Sequence, residues 1–202
     1  MAEDILASNS IFPASACDAE LEAAMAALPR PRVFTNGVFD LLHRGHCAML
    51  CNARRLGGSM VVGINSDASA RRLGKGPGRP INTAEDRAAV LISLACVDLV
   101  FIFDEATPCA LLERLRPEIY VKGADYDVAA LEESRTMKRW GGRSVALPLV
   151  AGLSTSRIVE RIVAADERPQ GRAGGPPRPP RGDEKTWGGP ASSHEHPPGA
   201  AS

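Results

Sequence analysis

Histidine is scarce in this chain of 202 residues: there are four, and two of them, His194 and His196, lie in a Pro/Gly-rich stretch near the end. The other two, His43 and His46, sit three residues apart in "TNGVFDLLHRGH", so imidazole chemistry in the folded part must come from that motif. Other absences narrow the field. No apolar run is long enough to span a bilayer, which speaks against a membrane partner. Net charge is zero, so neither a nucleic-acid coat nor a charged membrane surface is an expected partner, and any basic site must be local. The opening "MAEDILASNSIF" carries acids where a secretory signal carries Lys or Arg, so no signal peptide is expected. The five cysteines (Cys17, Cys47, Cys51, Cys96, Cys109) include no C-x-x-C pair, as in a reduced, cytoplasmic protein.

Two common nucleotide signatures are also missing. There is no G-x-x-x-x-G-K-[ST], and "GKGPGRP" neither fits G-x-G-x-x-G nor opens the first helix of the alternating region. A P-loop phosphotransferase and a nicotinamide-linked dehydrogenase are thereby disfavoured.

What is present divides the chain into three parts. Residues 1–31 hold one helical segment, "DAELEAAMAAL", and read as an N-terminal extension. Residues 32–166 alternate short β-rich runs with helical segments and read as one folded domain. Residues 167–202 contain 8 Pro and 7 Gly, too little apolar surface to offset the entropy of ordering, and read as a disordered tail.

In the middle part the β-rich runs are "RVFT", "SMVVGIN", "DLVFIF", "EIYVK" and "RSVALPLV", each followed by a helical pattern. Strands separated by helices pair in parallel through right-handed crossovers, and near-continuous apolar runs suit a sheet covered on both faces. The expected fold is therefore α/β: a doubly wound, Rossmann-like, five-stranded parallel sheet with helices on both faces. Such sheets bind ligands beyond the carboxyl ends of their strands, where strand order reverses. The segments falling there are "NGVFDLLHRGH", "NSDASARRLGKGPGRP", "KGADYD" and "VAGLSTSR", all rich in Gly, Asn, Asp, Lys, Arg and Ser. By composition, that edge is a phosphate-binding surface.

His43 and His46, at the start of the first helix after "NGVFD", share a helix face beside unpaired backbone N–H groups. A helix amino terminus favours a phosphate, and two imidazole donors would add stabilisation where charge builds. Gly45 between them lets a ligand approach the backbone, and so does Gly37 earlier in the loop. With Cys47 beyond His43 the pair could instead hold zinc, but no further ligand cluster follows. Asp40 could hydrogen-bond the loop rather than meet a ligand. Arg87, with Glu85 and Asp86 nearby, could be a surface ion pair, and Ser154 to Ser156 could simply cap a helix.

H-x-G-H after a strand of the form "TNGVFD" resembles the cytidylyltransferase-like nucleotidyltransferases, which join a phosphorylated small molecule to the α-phosphate of a nucleoside triphosphate. "VGINSDAS", "RPIN", "VDLVFIFDEATP", "RPEIYVKGADY" and "GLSTSRIVERI" extend the likeness to the branch of D-glycero-β-D-manno-heptose 1-phosphate adenylyltransferases, over roughly Arg32 to Val163. That branch is often fused to a sugar kinase, for which this chain has no room, so the stand-alone form is expected. The resemblance implies that His43 and His46 hold the triphosphate and stabilise the transition state, with Lys75 and Arg79 as basic residues over the phosphates. It places Asn36, Gly37, Phe39 and Asp40 at the nucleotide pocket, with Arg87 at the start of a following helix. Lys122, Gly123 and Asp125 belong to the loop after the fourth of the five strands, and Ser154, Thr155 and Ser156 to a helix start that grips the β- and γ-phosphates.

The implied reaction is attack by the sugar 1-phosphate on the α-phosphorus of ATP, giving ADP-heptose and pyrophosphate. Its nucleophile is already anionic near neutral pH, since a phosphate monoester's second pKa is about 6, so donors and cations suffice without a general base. A magnesium ion (Mg2+) would bridge the ATP phosphates and keep several waters, so the protein need supply few ligands, and no particular side chain is singled out as one. The glycerol-phosphate branch carries R-T-x-G-I-S-T-T where this chain has "LVAGLSTS" without the arginine, and "KGGDY" becomes "KGADY" with Ala124. Two alternatives stay open: a cytidylyltransferase acting on glycerol 3-phosphate or a similar alcohol phosphate, and a non-catalytic nucleotide-binding module. The family also implies a homodimer, to which Cys47, Met49 and the N-terminal helix could contribute.

Overall fold

The computed structural model describes residues 10–74, 76, 78–124, 127–148, 150 and 152–166. The C-terminal stretch 167–202, expected as a disordered tail, lies outside the described residues, as do Lys75 and Asp125. None of the helices described is long and apolar enough to cross a membrane.

Among the described residues the chain runs β1 (Ile11–Phe12), α1 (Asp18–Ala26), β2 (Arg32–Gly37), α2 (Arg44–Arg54), β3 (Ser59–Asn65), α3 (Asp67–Arg72) and α4 (Ala84–Ile92). It continues through β4 (Leu99–Phe103), α5 (Cys109–Leu115), β5 (Ile119–Gly123), α6 (Glu132–Lys138), β6 (Arg143–Leu147) and α7 (Thr155–Asp166). The sheet is parallel throughout, in the order β1-β4-β3-β2-β5-β6. Six strands replace the five expected. The added one, β1, lies in the segment expected to be a helical extension and pairs Ile11 with Val100 and Phe12 with Phe101. Only two residues long and followed by Pro13, it is too short to carry a period in the sequence. It is held by tertiary contacts, notably the Phe12 ring stacked on Phe101 at 4.9 Å between centroids.

Alternation along the strands builds two cores. Phe34, Val61, Phe101 and Tyr120 face one side, with Leu21 and Met25 of α1, Leu112 of α5 and Met137 of α6. Their neighbours Val33, Val62, Val100 and Val121 face the other side, with Leu50 and Ala53 of α2 and Ala88 and Leu91 of α4. Successive strand residues point to opposite faces, so apolar runs buried on both faces require helices on both. Each fully buried Leu, Phe or Ile contributes on the order of 1.5–3 kcal/mol.

This order fixes where a ligand can enter. From β2 the chain steps to β3 and then β4 on one side, while β5 and β6 add on the other. The reversal therefore lies between β2 and β5, and a crevice opens beyond their carboxyl ends, at Gly37 and Gly123.

Candidate active site

A cleft of about 540 Å³ occupies that crevice. Its floor is the end of β2, where Thr35 donates its hydroxyl to the Val121 carbonyl (2.8 Å) and Tyr120 donates to Oδ1 of Asn36 (2.8 Å). These cross-strand bonds tie β2 to β5 under the opening. Lys122 donates to the Asn36 carbonyl at 3.2 Å, which brings an ammonium to the same edge.

The turn leaving β2 delivers the histidines. Phe39 adopts the left-handed backbone region (φ 49°), uncommon for a bulky residue. Burial of its ring compensates, with the imidazole of His46 at 5.4 Å between centroids. His43 caps α2: its backbone is extended, and Nδ1 accepts the Gly45 N–H at 3.1 Å. A ring whose Nδ1 accepts carries its proton on Nε2 when neutral, so His43 presents Nε2–H as a donor. Burial holds its pKa below the ordinary 6.5, against an opposing backbone hydrogen bond, so the neutral form prevails at neutral pH. The His43 and His46 rings stack at 3.9 Å with 18° between planes. Gly45 makes this possible, because a Cβ there would sit 3.0 Å from both Nδ1 and Cε1 of His43.

Asp40 is 4% exposed, and its carboxylate is fully engaged. Oδ1 accepts the backbone N–H groups of Ile81 (2.8 Å) and Asn82 (3.0 Å), and Oδ2 accepts Arg79 Nε. The acid thus anchors the segment that follows the Gly-rich loop and carries Arg79 onto the cleft wall. Arg79 lines the cleft, and its η nitrogens make no hydrogen bond among the described residues, which leaves them available as donors.

The opposite rim belongs to the start of α7. Ser154 Oγ accepts the Arg157 N–H at 3.2 Å, capping the helix, and Thr155 donates to the Leu41 carbonyl at 3.2 Å. The second bond fastens α7 to the loop that leads into α2. Leu153 lies against the α2 start as well, its Cβ 3.5 Å from where a Gly45 side chain would begin. Two helix amino termini therefore converge on one rim.

Of the residues singled out in the sequence, Asn36, Gly37, Phe39, Asp40, His43 and His46 line the cleft from the β2 side. Arg79, Lys122, Gly123, Ser154, Thr155 and Ser156 line it from the other segments. Arg87 does not. Its side chain is buried and bonds inward: Nε to the Asn82 carbonyl (3.1 Å), Nη1 to the Val38 carbonyl (2.6 Å), and Nη2 to the Asn65 carbonyl (2.9 Å) and Asp67 carboxylate (2.7 Å). The arginine expected to meet the nucleotide instead locks three loops beneath the site. Nor is it the surface ion pair its acidic neighbours suggested, for its partner is Asp67.

Sequence reasoning placed Asn65 at the binding edge without naming it as a site residue, and it missed Glu133 and the apolar positions Met49, Ala106 and Pro108 on the cleft wall. Asn65 was legible as the last residue of β3, at the strand end where ligands bind. Glu133 had no such signal, because its helix follows a loop of unmarked composition.

The chain belongs to the cytidylyltransferase-like family, whose profile matches residues 34–161. It is 54% identical over 146 residues to the D-beta-D-heptose 1-phosphate adenylyltransferase of Bordetella bronchiseptica, a match covering 71% of this chain and 90% of that protein. It is likewise 54% identical over 132 residues to the bifunctional protein HldE of Magnetococcus marinus, covering 65% of this chain but 27% of that longer protein. Among solved structures, the lipopolysaccharide core biosynthesis protein from Thermoplasma volcanium superposes with a TM-score of 0.50 at 28% identity, covering 59% of this chain and 95% of that one.

Proposed function

We propose that this chain is a nucleotidyltransferase that joins ATP to D-glycero-β-D-manno-heptose 1-phosphate, releasing pyrophosphate and forming ADP-heptose. The observation that carries the reading is the convergence of His43, His46, Arg79, Lys122 and the α7 start on one cleft at the strand reversal. The similarity to the Bordetella adenylyltransferase, which covers nearly all of that protein, supports the substrate pair.

The roles follow from the donor set. The amino termini of α2 and α7 and the two imidazoles receive the triphosphate, where backbone N–H groups and helix dipoles favour an anion. Arg79, held by Asp40, and Lys122, held against Asn36, supply fixed cations for the charge that shifts onto pyrophosphate as the α-phosphorus is attacked. The attacking phosphate oxygen needs no proton removed near neutral pH, so catalysis reduces to positioning and charge stabilisation. Lys75 and Asp125 remain proposed site residues on the strength of the motif alone.

Among the described residues no three His, Cys, Asp or Glu side chains are grouped to hold a metal ion. Mg2+ bound to the ATP phosphates would neutralise phosphate charge and keep several waters, needing few protein ligands.

Pyrophosphate release by the purified protein tests this, with ATP and CTP each paired with β-heptose 1-phosphate and glycerol 3-phosphate. Release only with ATP and the heptose phosphate is expected. Release with CTP and glycerol phosphate would keep the mechanism and replace the substrates, whereas nucleotide binding without turnover in any pairing would leave a binding module.

A further inference from the structure

Among the described residues of the cleft wall, two carry carboxylates. Asp40 is spent on Arg79, Ile81 and Asn82. The other, Glu133 in the first turn of α6, is 8% exposed and lines the cleft, yet no hydrogen bond or ion pair engages it among the described residues. Its oxygens are not among the fully buried atoms left without a partner, so the carboxylate stays open to the water of the cleft and can accept hydrogen bonds from a ligand that displaces it. Its neighbours show what it can meet. α6 packs on α5, whose start contributes Pro108 to the wall next to Ala106, and Lys122 of β5 lies on the same sheet face beside Tyr120, so Glu133 shares this side with apolar groups and one cation.

The placement is opposite to that of the phosphate donors. His43 and His46 belong to α2, which packs on the sheet face holding Leu50 and Ala53, and α7 is fastened to the same region through Thr155 and Leu41. Glu133 belongs to α6, which packs on the other face through Met137. A ligand laid across the strand ends therefore meets the two imidazoles and both helix amino termini at one end, Lys122 between β2 and β5, and Glu133 on the α6 side. A carboxylate repels phosphate and accepts hydrogen bonds only, and its two oxygens match two adjacent hydroxyls on a sugar ring.

We propose that Glu133 is a specificity-determining residue that accepts hydrogen bonds from vicinal ring hydroxyls of a bound substrate, placing the sugar end of the ligand against α5 and α6. The inference rests on the reaction proposed above. Both substrates of that reaction carry a polyol ring, the ribose of ATP and the heptose, and the chemistry is the same for either.

The test uses the full chain, Glu133→Gln and Glu133→Asp. Calorimetry measures binding of ATP, 2′-deoxy-ATP and 3′-deoxy-ATP, and pyrophosphate release gives kcat and KM for the heptose phosphate. Hydrogen bonds to a charged group predict a loss of about 10–100-fold in affinity for the substrate whose hydroxyls Glu133 holds. If the ring is ribose, Glu133→Gln weakens ATP binding by that factor and weakens the deoxy nucleotides much less, since their contact is already gone. If the ring is heptose, ATP binding stays within about twofold and the KM for the sugar phosphate rises by the same 10–100-fold. Glu133→Asp, which keeps the charge, should fall between the wild type and Gln and covers the case of a Gln variant that fails to fold. An active wild type whose variants change neither quantity, or lose affinity equally for every nucleotide, overturns the inference alone. A wild type that binds nucleotide but never turns over overturns the reaction as well.

Discussion

The imidazole rings of His43 and His46 lie face to face, 3.9 Å apart and 18° from parallel, over the first turn of α2. One caps the helix through Nδ1 and the other rests against Phe39, so neither ring is free to swing toward a ligand. Preorganised donors of this kind act on the charge that develops during reaction more than on the bound ground state. Replacing either histidine with Ala should lower kcat by about 10²–10³-fold and change the dissociation constant for ATP far less. Steady-state kinetics alongside calorimetry checks this; a purely raised KM at unchanged kcat would reduce the pair to ground-state binding.

A pH dependence follows from the His43 cap. Its pKa is lowered by burial below the ordinary 6.5, so as pH falls through 6.5 the unfolded chain takes up a proton before the folded one does. The contribution of His43 to stability is therefore complete above pH 6.5 and declines as pH falls from there toward the folded value. Protonation at Nδ1 would also set two N–H groups against each other at Gly45 and place a positive charge at the positive end of α2. His43→Asn keeps a capping oxygen and cannot titrate. The difference in Tm between wild type and this variant, measured from about pH 8 down to about pH 5, should shift steadily against the wild type below pH 6.5. A flat difference would sever the cap from the titration.

Asp40 places Arg79, and an amide would not. In Asp40→Asn the amide oxygen still accepts from Ile81 and Asn82, while its NH2 group opposes the Arg79 Nε–H. The loop should stay docked while the guanidinium loses its anchor. A fall of about 10–100-fold in kcat/KM is expected, with a Tm shift small beside it, and Arg79→Ala should add little on top of it. Full additivity of the two substitutions would show that Asp40 acts by some route other than Arg79.

Reading the sequence located the cleft because the strand ends announced themselves: Gly37, Asn65 and Gly123 close apolar runs that cannot be anything but buried strands. Period and capping residues likewise marked the helices, as with Thr83, whose side chain accepts the Asp86 N–H. What stayed hidden was set by long-range contact. β1 exists through pairing with Val100 and Phe101, nearly ninety residues away, and two residues carry no pattern. Glu133 is buried because α6 packs against α5, and nothing local to "ALEES" records that. Asp40 was read as either a ligand contact or a loop anchor, and the choice between them depended on where Ile81 and Asn82 come to rest.

Arg87 is the sharpest case of a functional-looking residue with a structural task, and it supports a prediction about stability. Its guanidinium joins the loop after β2 at Val38, the end of β3 at Asn65, the first turn of α3 at Asp67 and the approach to α4 at Asn82. Three of those four acceptors are backbone carbonyls, two of them held by η nitrogens inside the core, and each would be left unsatisfied by a shorter side chain. Breaking a buried pair by removing one partner typically costs about 3–5 kcal/mol. Arg87→Met, close in length but without donors, should therefore lower stability by about that amount in chemical denaturation. Arg87→Lys should recover only part of it, because one ammonium cannot reach acceptors spread over four segments. If Arg87→Met instead folded with wild-type stability and lost only ATP affinity, the guanidinium would have to leave these carbonyls to meet the nucleotide. Its burial at 2% exposure argues that it does not.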